Sequence, residues 1–177
     1  IGAFEYQHNG LKAYLEGAYL HRNRQHNTLH DLGLIPDQQP FFLPPYNLQE
    51  SQNIGTTYDN IVDWVFLEAR NMNNPCFVED KTSALLLDNG YIVSPKNSCT
   101  IEFANLEPGE YYFVVRHSNH QDIMTDTILK YPFVEEFDFT LSSNSACNSN
   151  LKFVDDRTYC MYAGDTKIGG EINTDDL

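Results

Sequence analysis

The sequence predicts an all-β protein built as an antiparallel β-sandwich. Aromatic residues make up 13% of the chain, including eleven Tyr and eleven Phe, and such residues favour strands. Short apolar segments recur at intervals of roughly 8–15 residues, with turn sequences between them. No segment has a convincing amphipathic helical period. Together these observations indicate two packed antiparallel sheets.

The first predicted strand lies in residues 11–20. Leu11, Ala13 and Leu15 alternate there with more polar neighbours such as Tyr14. This period of two is typical of a half-buried strand, with Tyr14 on the solvent side.

Residues 21–60 are polar and rich in proline, with PDQQPFFLPPYN (36–47) at their centre. Because proline removes backbone donors, this segment is predicted to be an extended loop draped over the core. The next segment, 60–70, is apolar on both faces and is predicted to be a central strand. Trp64, the only tryptophan, should be buried there between two sheets.

Four further strand signals follow in the second half of the chain. Residues 83–94 form two apolar runs joined by Asp-Asn-Gly, which predicts a hairpin. Segments 99–106, 111–118 and 131–140 have strand-like patterns. This series predicts a sandwich of the immunoglobulin or fibronectin type. We divide the chain into a β-sandwich domain (1–141), a Ser/Asn-rich linker and strand (142–159) and a C-terminal loop (160–177).

Composition limits the classes of function. The net charge of −14 argues against binding to nucleic acid or to anionic membranes. The chain has no apolar run of about eighteen residues, so membrane insertion is not expected. It starts with Ile1 rather than Met, which suggests a processed or excerpted chain and is compatible with secretion.

The four cysteines form two local pairs, Cys76 with Cys99 and Cys147 with Cys160. Neither pair has the spacing of zinc or redox motifs. Two disulfides in an exported protein are the favoured interpretation, and four free thiols are the alternative.

The C-terminal segment resembles the start of a twelve-residue calcium loop. Its ligand positions would be Asp165, Lys167, Gly169, Glu171, Asn173 and Asp176. The oxygen ligands offered are Asp165, Glu171, Asn173 and Asp176. Because a lysine and a glycine occupy two ligand positions, we expect a degenerate loop with weak calcium binding at most.

Two histidine-containing segments are candidate sites. His117 and His120 could ligate a transition metal, but residues three apart in a strand point to opposite faces, so a turn would be required. A hydrogen-bonded strand terminus is the favoured interpretation. Residues 21–30, HRNRQHNTLH, are interpreted as a solvated charged loop, with a patch for an acidic subunit or an anionic glycan as the alternative.

Several phrases in their order resemble a known module. They are LKAYLEGAYL, LPPYN, VDWVFLEAR, ALLLDNGYIV, YYFVVRHSNHQDIMT, EFDFT and YAGDTKIGGEINTDDL. Together they resemble the C-terminal β-sandwich plus dockerin-like module of secreted Bacteroidetes surface proteins that carry a C-terminal secretion and sorting domain. The resemblance implies secretion, an extracellular location at the cell surface and no catalytic activity.

No catalytic motif is found in the sequence, although carboxylates from distant strands could converge as in glycosidases. We therefore expect a non-enzymatic structural or adhesive module of a surface protein or fibre. Its expected partners are neighbouring subunits or domains, including further copies of itself, and glycans. The alternative is a carbohydrate-binding module that stacks sugars on Tyr46, Tyr58 or Tyr91.

Overall fold

A computed structural model describes residues 8–55, 58–96, 100–155 and 157–165. The strands are β1 Gly10–Lys12, β2 Tyr19–Leu20, β3 Arg24–Gln25, β4 Ile61–Asn71, β5 Val78–Leu87, β6 Ile92–Val93, β7 Gly109–His117, β8 His120–Met124, β9 Leu129–Tyr131, β10 Glu136–Asp138, β11 Lys152–Asp155 and β12 Thr158–Cys160. The helical elements are α1, Thr28–Asp31, and 3-10 turns at Glu16–Ala18, Phe139–Leu141, Ser143–Ser145 and Cys147–Ser149. In these ranges no helix has the length and apolar character needed to span a membrane.

The main sheet is antiparallel and has the order β6-β5-β4-β7-β8, with β9 pairing the other end of β7. This confirms the all-β prediction. Strand β4 lies at the centre, as predicted for segment 60–70. The predicted hairpin is formed by β5 and β6, which pair Leu85 with Val93 and Leu86 with Ile92.

Strand β4 is apolar on both faces. Val65, Leu67 and Ala69 face one hydrophobic core, and Trp64 and Phe66 face the other. All five side chains are at most 1% exposed. Both faces of the sheet centre must therefore be covered by other parts of the chain.

The first face is covered by short strands and extended segments. Strand β1 pairs in parallel with β10, and β11 pairs with β12. Side chains of these segments, including Leu11, Phe139 and Met161, are buried against the sheet. This layer consists of two-stranded pieces.

The second face is covered by the proline-rich loop. Phe41, Tyr46 and Leu48 pack on Trp64 and Phe66. The indole nitrogen of Trp64 donates to the Pro36 carbonyl at 2.9 Å. The draped loop and the burial of Trp64 are confirmed, but in the described residues a loop covers this face of β4 where a second sheet was predicted.

Three predicted strands differ from the structure. Segment 11–20 leaves the strand conformation after Lys12. Tyr14, predicted on the solvent side, is buried, and its hydroxyl donates to the Asn23 carbonyl at 2.8 Å. Residues 101–103 alternate between buried and exposed as predicted, but a bend follows at 104–105 and residues 101–106 belong to no strand. Segment 131–140 is divided between the end of β9 and β10, with Pro132 between them.

The Ser/Asn-rich segment packs against the core. Ala146 is 2% exposed and forms an isolated bridge with Thr125. Ser142 caps the following turn by accepting from the Asn144 amide. Polar composition predicted a linker here, yet local side-chain caps let this segment follow the surface of the sheet closely.

Gly90, in the β5–β6 turn, provides a test of this packing. Its φ is +88°, and a Cβ atom there would lie 2.7 Å from Tyr14 Cε1. We expect Gly90→Ala to lower the free energy of unfolding by about 2–4 kcal/mol, because it combines backbone strain with overpacking. Urea unfolding followed by far-UV circular dichroism measures this change.

Gly33→Ala is the matched control. Gly33 also has a positive φ, +65°, but nothing lies within 4 Å of its added Cβ. Its expected cost is about 1 kcal/mol. Equal losses in the two variants would show that the contact with Tyr14 is not tight.

Candidate functional site

A cavity of about 350 Å³ lies where the β7–β8 hairpin meets the 3-10 turn at Glu16–Ala18. Its polar lining includes Asp63, His117 and His120, together with Gly17 and Thr28. Both histidines are at most 5% exposed. The cavity therefore combines buried titratable groups with access for a small molecule.

The hairpin brings the two histidines together. His117 ends β7 and His120 begins β8, and the two residues are paired in register. Their rings meet edge to face, with centroids 4.8 Å apart. The turn that the sequence required for convergence is thus present.

The side chains form a continuous hydrogen-bond chain, called here the histidine chain (Asp63, His117, His120 and the Gly17 amide). The Gly17 amide donates to His120 Nε2 at 3.3 Å, so the proton of a neutral His120 ring is on Nδ1. That Nδ1–H donates to His117 Nδ1 at 3.0 Å. His117 is then protonated on Nε2, which donates to Asp63 Oδ2 at 3.2 Å. One consistent pair of tautomers satisfies every member.

Burial controls the protonation of this chain. The pKa of His120 is lowered to about 4, chiefly by burial and also by the nearby His117, against the opposite effect of Glu16 and Asp63. His120 is therefore neutral at physiological pH and acts as a hydrogen-bonding group.

The arrangement favours a structural role for the histidines. Their two Nδ1 atoms face each other and share a proton, so these lone pairs are not both available to a metal. Among the residues that the structure describes, no group of three or more His, Cys, Asp or Glu side chains is suited to hold a metal ion. No described hydroxyl or thiol hydrogen-bonds to either imidazole.

Sequence reasoning did not single out Asp63. The sequence did contain a feature that could have identified it: Asp63 is an acid inside the apolar run NIVDWVFLEAR. A carboxylate in a buried strand needs a hydrogen-bond or ion-pair partner. The partner, His117, lies 54 residues away in sequence. Only the register between β4 and β7 brings the two together.

A second polar network crosses β4, β7 and β8. Arg70 donates to Glu68 at 2.6 and 2.8 Å, and Arg116 lies 2.8 Å from Asp122. Arg116 Nε also lies 3.0 Å from Glu68, without hydrogen-bond geometry. Burial raises the pKa of Asp122 to about 6, despite the nearby Arg116. Arginine therefore links the two carboxylates, Glu68 and Asp122.

Of the predicted calcium ligands, only Asp165 is described, and it is 1% exposed. Glu171, Asn173 and Asp176 lie outside the described residues. The chain leading to Asp165 is tied to the core, since the Ala163 amide donates to Glu16 and the Gly164 amide donates to the Asn119 carbonyl.

The cysteines differ from the prediction. Cys147 and Cys160 are free thiols in the structure, which corrects the predicted bridge between them. The physical reason is strand register: Lys152 lies opposite Cys160, while the Cys147 thiol donates to the Thr125 carbonyl. Burial raises the pKa of the Cys160 thiol to about 12. Cys76 is an exposed free thiol, and its predicted partner Cys99 lies outside the described residues.

The three tyrosines predicted to stack sugars differ in how far they are buried. Tyr46 is 9% exposed and packs on Phe41 and Phe66. Tyr91 is stacked on His8 with ring centroids 4.3 Å apart, and Tyr58 packs against the core that contains Trp64. Tyr46 is therefore covered by its neighbours, whereas Tyr58 and Tyr91 are half-buried.

Comparisons of the sequence with protein-family models, with curated proteins and with solved structures each found no match.

His120 and Asp122 should affect stability oppositely between pH 4 and 6.5. The pKa of His120 is lower in the folded chain than its ordinary value of 6.5, so its stabilising effect is full above pH 6.5 and is lost towards pH 4. The pKa of Asp122 is raised from 3.8 to about 6, so its contribution is full below pH 3.8 and is lost as the pH rises through 6. Each effect amounts to at most about 3 kcal/mol.

We therefore expect Asp122→Asn to lose more stability than the wild type as the pH falls from 6.5 to 4. His120→Asn should lose less than the wild type over the same range. Urea unfolding at several pH values measures both slopes, and the comparison cancels the groups that all three proteins share. Parallel curves for the three proteins would contradict the assignment.

Proposed function

We propose that this chain is a non-enzymatic extracellular module with a structural and adhesive role in a surface protein or fibre. The observation that carries the proposal is the closed histidine chain. In the cavity where the β7–β8 hairpin meets the 3-10 turn at Glu16–Ala18, Asp63, His117 and His120 satisfy one another and the Gly17 amide. Their hydrogen bonds hold together the 3-10 turn at Glu16–Ala18, β4 and the β7–β8 hairpin. This is a structural role.

The carboxylates on the sheet support the same proposal. A glycosidase needs one carboxyl group to protonate its substrate and another to attack it or to activate water. Here Arg116 is paired with both Glu68 and Asp122. In the described residues, these acids serve an ion-pair network that connects three strands.

The finer fold assignment belongs to this proposal. We propose that the main sheet and the short-stranded layer on its first face derive from an immunoglobulin- or fibronectin-like sandwich. We also propose that residues 160–177, with Asp165 at the first ligand position, are a dockerin-like calcium-loop remnant, as in secreted Bacteroidetes surface proteins. The ordered phrases in the sequence support this assignment.

An adhesion assay tests the proposal. Beads coated with the chain are applied to an array of immobilised neutral glycans, acidic glycans and matrix proteins. We expect retention on at least one class, and excess soluble chain should compete with it. Beads coated with the urea-unfolded chain should not be retained, because adhesion needs the folded surface.

His117→Gln serves as a control for hidden catalysis. Wild type and variant are incubated with the same array, and release of soluble fragments is measured. An activity that the variant loses would contradict a structural role for the histidine chain. Retention no greater than that of albumin-coated beads on every class would contradict an adhesive role.

A further inference from the structure

Three turns that are distant in sequence meet around an open pocket of about 670 Å³. They are the β2–β3 turn, the 3-10 turn at Phe139–Leu141 and the β11–β12 connection. Among the described residues, the pocket is lined by the cations of Lys12, Arg22 and Arg157, by the carboxylate of Asp155, and by polar groups of Asn23 and Thr158. We call this the basic pocket. In a chain with a net charge of −14, it concentrates positive charge.

Two acids near the pocket, Asp138 and Asp155, are described by the structure, and both already accept hydrogen bonds. Asp138 accepts from Lys12 at 2.8 Å and from the backbone and hydroxyl of Thr140. Asp155 accepts from Tyr19 and from His21 at 3.0 and 2.9 Å. These carboxylates hold the walls of the pocket together.

The two arginines are left without such partners. In the described part of the chain, neither Arg22 nor Arg157 forms an ion pair or a side-chain hydrogen bond. Both have positive φ, 71° and 100°, a conformation in which glycine or asparagine would be less strained. Two unpaired guanidinium groups thus stand at strained positions beside one pocket, where they can bind an anion.

The other lining groups identify the kind of anion. The pocket volume falls within the range of about 300–1,000 Å³ that is typical of small-molecule sites, so the pocket can hold more than one inorganic ion. Asp155 is an acceptor that would repel a bare phosphate or sulfate but can bind hydroxyl groups. Asn23 and Thr158 add further polar partners. Hydroxyl groups combined with an anionic group are the chemistry of an acidic sugar.

We propose that the basic pocket binds an acidic sugar, with Arg22 and Arg157 holding its carboxylate or sulfate and Asp155 accepting from its hydroxyls. The net charge of −14 disfavours a long polyanion across the surface, so the ligand is a terminal sugar or a short oligosaccharide. This inference rests on the proposed adhesive function and identifies the ligand class of that function.

Titration of the isotope-labelled full chain with glucuronate, followed by amide NMR, tests the site. We expect binding with a Kd of about 1 mM or tighter and shifts centred on the β2–β3 turn and on residues 157–158. Glucose should bind at least about ten-fold more weakly, because it lacks the charge that the arginines recognise. Glucose 6-sulfate should bind as tightly as glucuronate if the arginines recognise charge alone. Tighter binding of one of the two sugars would show whether the arginines prefer a sulfate or a carboxylate.

Arg157→Gly and Arg22→Gly remove the guanidinium groups while suiting the positive φ values. Each should weaken glucuronate binding about ten-fold without lowering the melting temperature. Arg24→Gln is the matched control: it removes one charge from the same turn, but Arg24 pairs with Asp88 and does not line the pocket. It should change the affinity less than about two-fold.

Several results would overturn the inference: glucose binding as tightly as glucuronate, shifts that lie elsewhere, or unchanged affinity in Arg157→Gly. Inorganic sulfate binding as tightly as glucuronate would reveal an adventitious anion only. Failure of this inference is distinguishable from failure of the adhesive role. If beads coated with Arg157→Gly still adhere, the proposed site is overturned but the adhesive role is not. If glucuronate binds but no beads are retained, the adhesive role is overturned.

Discussion

Strand β4 is buried on both faces, and the other parts of the fold are arranged to cover them. Its side chains Trp64 and Phe66 on one face, and Val65 and Leu67 on the other, are almost completely removed from water. Burying each such side chain contributes roughly 1.5–3 kcal/mol, so neither face can be left open. The proline-rich loop covers one face, and the layer of short strand pairs covers the other.

This constraint determines where polar groups can lie. Asp63 and Glu68 belong to the same strand, and each is tolerated because it has partners. Asp63 accepts from His117 on β7, and Glu68 accepts from Arg70 on its own strand and forms an ion pair with Arg116 on β7. Unpaired, either carboxylate would be costly in so buried a setting. The unpaired cations Arg22 and Arg157 instead lie in exposed turns, the β2–β3 turn and the β11–β12 connection. Solvent reaches them there, and a ligand can reach them too.

The sequence was most informative where a local pattern decides the conformation. The apolar run around Trp64, the Asp-Asn-Gly turn at Gly90 and the prolines of the draped loop each predicted the observed structure. It was less informative where contacts between distant segments decide. The sequence pattern predicts that Tyr14 is exposed on a strand, whereas in the structure its hydroxyl donates to the Asn23 carbonyl in the interior. Cys160 lies opposite Lys152 because of the β11–β12 register, which the sequence pattern does not reveal. The candidate sites are of the second kind: the histidine pair was visible in sequence, but its partner Asp63 and the approach of Arg157 to Arg22 depend on tertiary structure.

The emission of Trp64 during urea unfolding tests most directly whether the draped loop is part of the core. Trp64 is the only tryptophan, and that loop covers it. We predict a blue-shifted native emission that moves to the red in one cooperative transition, coincident with the loss of far-UV circular dichroism. A solvent-like native emission, or a red shift completed before the sheet unfolds, would show that the loop does not seal the second face of β4.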